Sequence, residues 1–185
     1  EFDPAINAQS LARAKLIKQY APSLKVMMTR QITDSFKPYV DIFVPVINWF
    51  NQPGHTPAAA YSGKTLWLYH SNMSQGNTSN HTDPSQVAPA TTFPMAVIDA
   101  PEEDPARFVT EAVASGATSL LYYNSTESIT DAFKPGAQYK YGGNGDGNLL
   151  YPNGGVSKRL KFYRRGMNQV AWGRAGTCAT VIAKC

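Results

Sequence analysis

Thr65-Leu66-Trp67-Leu68-Tyr69-His70 and Ser119-Leu120-Leu121-Tyr122-Tyr123-Asn124 are the stretches whose reading decides the fold class. Each is short, almost continuously apolar, and turns polar only at its C-terminal end. That pattern marks strands of a buried parallel sheet. Leu24 to Thr29 and Val40 to Pro45 repeat the type, the second after a turn near Lys37-Pro38. Around these runs lie three stretches with helical spacing. Ala8 to Tyr20 carries Leu11, Ala14 or Lys15, and Ile17 or Lys18, and Pro22 stops it. Glu102 to Ser115 aligns Phe108, Val109, Ala112 and Val113 and ends at Gly116. Ser157 to about Trp172 aligns Leu160, Tyr163, Met167, and Val170 or Ala171. The order helix, strand, strand, strand, helix, strand predicts an α/β fold: a partial (half) TIM-type barrel with parallel strands and long strand-to-helix loops. Residues 1–176 form a single α/β domain in this reading, and 177–185 a C-terminal tail.

The chain is long enough for one domain with a sizeable core. Hydrophobic residues make up 43% and charged residues only 16%, so the surface must rely on uncharged polar groups and tyrosine. Such side chains exchange hydrogen bonds with hydroxyl-rich ligands without bringing a full charge. The two cysteines, Cys178 and Cys185, lie far from any metal-ligand spacing, and His55, His70 and His81 are scattered. We therefore expect a Cys178–Cys185 disulfide, an oxidising compartment, and no metal or other cofactor. N-x-[ST] triplets at Asn72, Asn77, Asn80 and Asn124 agree with a secreted, glycosylated product. No run reaches transmembrane length. Six of the 17 basic residues lie between Lys158 and Arg174 with no acidic residue among them. This segment reads first as the solvated face of a terminal helix, and second as a patch for an anionic partner.

Two connections, 72–92 and 125–155, are longer than most structureless loops. Both leave the C-terminal ends of predicted strands, where a parallel barrel builds its site. The second contains Gly142-Gly143-Asn144-Gly145-Asp146-Gly147, a shaped loop whose glycines leave room for a close approach. Trp67 and Tyr69 alternate along the third strand, Trp49 follows the second, and Tyr122, Tyr123 and Asn124 finish the fourth. Aromatic faces pack on the apolar faces of pyranose rings, and Asn or Asp takes the hydroxyls. Trp67 and Tyr122 also suit a core, whereas Trp49, Tyr123 and Asn124 sit at strand ends and suit a site. A Ser71, His70 and Asp99 triad lacks a nucleophile elbow.

Several segments in one order resemble a known family. They are Gly63 to Tyr69, Ser71 to Ser74, Phe93 to Pro101, Leu121 to Asn124, Gly142 to Gly147, and Leu150-Tyr151-Pro152. Together, over roughly Ala8 to Met167, they look like the C-terminal half of the glycoside hydrolase family 123-like proteins. The resemblance implies a TIM-type barrel and a carbohydrate substrate. It also implies catalysis by an acid with a second carboxylate holding a substrate acetamido group, from an adjacent Asp-Glu pair before the first helix. The nearest match is Glu1-Phe2-Asp3-Pro4, with the acids separated by Phe2, so Glu1 and Asp3 are the catalytic candidates. Asp99 and Asp146, in matching segments, join Trp49, Trp67, Tyr69, Tyr123 and Asn124 as substrate-binding candidates. The chain departs from the family at Asn168 to Gly173, where the family turns acidic and aromatic. The other acidic cluster, Glu102-Glu103-Asp104, opens a helix and reads as a dipole partner. Four strands cannot close an eight-stranded barrel, so an upstream barrel half or self-association is expected to cover the exposed edges. Nucleic acid is not expected. The alternative function is a non-catalytic structural or binding protein that kept the barrel half.

Overall fold

The computed structural model describes residues 4–70, 93–94, 100–123, 125, 149–150 and 154–175. They contain α1 (Pro4–Tyr20), β1 (Met27–Met28), β2 (Ile42–Phe43), β3 (Thr65–His70), α2 (Asp104–Ala114), β4 (Ser119–Tyr122) and α3 (Lys158–Ala175). The chain is α/β, with a four-stranded parallel sheet in the order β1-β2-β3-β4. The elements fall into two compact units, one built on Glu1–Tyr69 with Ala117–Leu121, the other on His70–Gly116 with Tyr122–Cys185.

In the first unit the register is direct: Met27 pairs with Ile42 and Ile42 with Thr65, and Met28 pairs with Phe43 and Phe43 with Leu66. The Thr118 N–H donates to Leu66 O at 2.9 Å and places β4 beside β3. The predicted first two strands shrink to two residues each, because sheet pairing reaches only the centre of each apolar run. Parallel strands need a crossover of a dozen or more residues. Here those between β1, β2 and β3 are made of turns and one 3₁₀ turn, Ala58–Tyr61, in place of full helices. Beneath them Val40, Phe43, Val44, Val46, Phe50 and Tyr61 are buried. The strand β3 alternates: Leu66 and Leu68 are buried, whereas Trp67 and Tyr69 on the other face are half-buried. The apolar run that suggested burial on both faces therefore has one dry face and one partly open one.

The helix α1 is tied by side-chain hydrogen bonds to the segments that flank β1 and β2. Near its start, Asn7 Oδ1 accepts a hydrogen bond from Arg30, just past β1, at 3.0 Å. Near its end, Lys18 Nζ donates to Leu24 O at 2.8 Å and to Asp41 Oδ2 at 2.6 Å. Asp41 Oδ2 also accepts the Val26 N–H at 2.7 Å, and Lys25 lies 3.8 Å from Oδ1. Burial works to raise the Asp41 pKa, but the Lys18 hydrogen bond, the Val26 N–H and both lysine charges outweigh it and hold the carboxyl below its ordinary value. Only Ala14 of α1 is buried, while Leu16, Tyr20, Leu24 and Met27 stay exposed around this helix and the sheet edge.

In the second unit α2 packs on α3. Gly166 makes this possible: a Cβ there would stand 2.7 Å from Ala106 O and 3.0 Å from Val109 Cβ. The predicted apolar face of α2 is confirmed, with Phe108, Val109 and Ala112 buried, and Gly116 takes φ +85° to end the helix. Glu102-Glu103-Asp104 does open this helix. Asp104 is buried and takes Arg107 Nη1 at 2.8 Å, and Glu102 pairs with Lys158 at 3.1 Å. An antiparallel bridge between Leu150 and Val156 leads the chain into α3. No described helix is long and apolar enough to cross a membrane.

Candidate functional site

The segments leaving β1 and β2 enclose a cleft of about 390 Å³ in the first unit. Arg30, Gln31 and Thr33 line it after β1, and Trp49, Gly54, His55, Thr56 and Pro57 after β2. Loops that follow parallel strands gather at one edge of the sheet, and the cleft lies there. Trp49 begins the turn that brings His55 back over it: the two rings stack at 5.5 Å with planes 13° apart. Asn51, at φ +55°, shapes this turn and accepts the Ala58 N–H on its Oδ1 at 3.1 Å. Asparagine tolerates that left-handed conformation better than most residues.

Gln31 fixes the polar rim. Its Oε1 accepts the Thr56 N–H at 2.9 Å, so its Nε2 faces His55 Nδ1 at 3.2 Å. An amide nitrogen only donates, so His55 Nδ1 accepts and the proton of the neutral ring sits on Nε2. Thr56 Oγ1 donates to Ile32 O at 3.3 Å, which leaves its lone pairs as acceptors. Arg30 is 9% exposed, stacks over Phe36 at 3.6 Å, and donates from Nε to Gln31 O at 3.2 Å. It therefore braces α1, β1 and the cleft floor together. The lining offers one aromatic pair, hydroxyl and amide groups, and a guanidinium, and no carboxylate among the described residues.

Among the sequence candidates, Trp49 lines the cleft, while Trp67 and Tyr69 do not. Tyr123 follows β4 and is 52% exposed. Glu1, Asp3, Asp99, Asn124 and Asp146 lie outside the described residues, as do Asn72, Asn77, Asn80, Cys178, Cys185 and the glycine loop 142–147. No group of three or more His, Cys, Asp or Glu among the described residues could hold a metal ion. Arg30, Gln31, His55 and Thr56 stand outside the candidates drawn from the sequence, which are aromatic rings, asparagine and carboxylates. Their signal was present, since Thr29-Arg30-Gln31 turns polar directly after the β1 run and Gln52-Pro53-Gly54-His55 marks a turn.

No protein-family model and no curated protein matches this chain.

The second unit holds a different feature. His70, the last residue of β3, is 0% exposed and neither ring nitrogen has a hydrogen-bond partner among the described residues. Its ring meets Phe108 edge-on at 4.6 Å and Tyr122 at 4.5 Å, and Tyr163 stands 5.0 Å behind Tyr122. Burial alone pushes the His70 pKa down to about 3 and raises that of Tyr163. His70 is thus a neutral imidazole in an aromatic box. Ser71 and Asp99, the other two members of the triad considered from the sequence, lie outside the described residues.

Proposed function

We propose that the chain is a carbohydrate-binding protein of glycoside hydrolase-like type, with its sugar held in the cleft beside Trp49. The observation that carries the reading is the stacked Trp49–His55 pair at the rim of a cleft whose lining also offers hydroxyl, amide and guanidinium groups. A pyranose ring offers an apolar face to the indole, while Gln31, Thr33 and Thr56 exchange hydrogen bonds with its hydroxyls. The volume suits one or two sugar units. The partial TIM-type barrel and the resemblance to family 123-like proteins belong to this proposal, as do secretion and N-glycosylation. The exposed Leu16, Tyr20, Leu24 and Met27 support a barrel half or a second copy covering the β1 edge.

Binding without hydrolysis has a specific observation in its favour: no described carboxylate lines the cleft, and glycoside hydrolysis needs at least one acid at the bond. Hydrolysis in this reading falls to Glu1 and Asp3, one acting as acid and the other orienting an acetamido group. Calorimetry with neutral and N-acetylated oligosaccharides tests the proposal. Trp49→Ala weakens binding by about 1.5–3 kcal/mol, the scale of burying one large apolar side chain. Unchanged affinity in a folded Trp49→Ala protein refutes the cleft, and hydrolysis that survives Glu1→Gln with Asp3→Asn refutes the catalytic assignment.

A further inference from the structure

All 13 acidic residues lie at or before Asp146, whereas seven of the 17 basic ones lie at or after Lys158. The acidic excess is thus concentrated between Asp83 and Asp146, and the C-terminal end is strongly basic, a split that the overall charge of +4 conceals. The helix α3 carries most of this charge. It has no acidic residue in its first turn, where Lys158 and Arg159 stand instead. Cations there oppose the helix dipole, and Lys161 repels Arg164 and Arg165 at the i+3 and i+4 positions. Helix stability gives no reason for this arrangement.

The opposite side of α3 is occupied. Gly166 is buried against Ala106 and Val109 of α2, and half-buried Tyr163 meets Tyr122. Lys161, Arg164 and Arg165 are exposed and form no ion pair among the described residues, in contrast to Lys158, which meets Glu102 at 3.1 Å. The packed side cannot insert into a lipid surface.

We propose that the exposed basic face of α3, centred on Lys161, Arg164 and Arg165, docks an acidic polysaccharide through its carboxylate or sulfate groups. The choice of a polysaccharide over other polyanions rests on the carbohydrate reading above. Charge complementarity supplies the attraction, because three cations clustered within two turns of one helix face present a dense positive patch to a chain of repeated anions. The role is an anchor for the protein on a charged polymer, separate from recognition in the cleft.

The test is retention on immobilised polygalacturonate and dextran sulfate at about 50 mM salt, with neutral dextran, a single-stranded oligonucleotide and phosphatidylserine vesicles in parallel. The unaltered protein is retained by one or both acidic polysaccharides and not by neutral dextran. The triple variant Lys161→Gln, Arg164→Gln, Arg165→Gln binds on the order of 100-fold more weakly. Its salt dependence falls by about three charges, and it melts no lower than the parent because like-charge repulsion is gone. Lys37→Gln, an exposed cation elsewhere, changes nothing. Equal retention of the triple variant, tighter binding to the oligonucleotide or vesicles, or a lower melting temperature overturns the proposal. Trp49→Ala keeps polyanion retention, and an unaltered protein that binds no neutral or N-acetylated oligosaccharide while polyanion retention stays intact marks a failure of the carbohydrate reading alone.

Discussion

Replacing His70 with phenylalanine should flatten the acid side of the stability curve. In the folded chain the imidazole has its pKa pushed down to about 3 by burial, against an ordinary value of 6.5. Below pH 6.5 the unfolded chain takes up a proton that the folded chain refuses, so stability is full above that pH and falls as pH drops towards about 3. Each pH unit in that window costs about 1.36 kcal/mol. The loss reaches about 2 kcal/mol at pH 5, or roughly 4–8 °C in melting temperature for a chain of this size. Phenylalanine fits the same edge-on contacts with Phe108 and Tyr122, carries no unpaired nitrogen, and does not titrate. Urea denaturation of both proteins between pH 7.5 and 4.5 is the assay. That range lies above the window in which Asp41, with its lowered pKa, protonates in the folded chain. We expect the variant to be at least as stable at pH 7.5 and to lose about one proton's worth of slope. Equal slopes in the two proteins, or a His70 NMR titration near 6.5, would refute the reasoning.

Gly166→Ala should destabilise the second unit by about 1–3 kcal/mol in chemical denaturation, because backbone at Ala106 must move; the helix-propensity gain of about 1 kcal/mol does not offset this. Asp41→Asn should cost about 1–3 kcal/mol at pH 7, since Lys18 loses its charged acceptor, and should remove a loss of stability otherwise seen as pH falls through the lowered carboxyl pKa. Parallel pH titrations of parent and variant check both statements.

The order of elements was legible in the residues themselves. Short apolar runs ending in polar residues marked β3 and β4, Pro22 and Gly116 marked helix ends, and the stripe of Phe108, Val109 and Ala112 marked the buried face of α2. Those signals are local: they depend on side-chain period, on proline's missing N–H and on glycine's freedom at positive φ. Trp49 was also legible as a residue of the turns after the second strand, where the cleft lies. Its partners were not. Arg30 and Gln31 follow a different strand, and only parallel pairing in register brings them to one edge with His55 and Thr56. Burial behaves the same way. His70 reads in sequence as the polar residue closing a strand, yet it is fully buried among rings. Gly166 stands in the middle of a helix, and only the packing shows it as the contact that lets α3 approach α2. Sequence alone determined which segments are helix and strand, and that the C-terminal end is basic with no acidic residue after Asp146. Which polar groups face one another, which lose their water, and which basic residues remain turned outward were decided only by tertiary packing, because those properties belong to neighbours far apart along the chain.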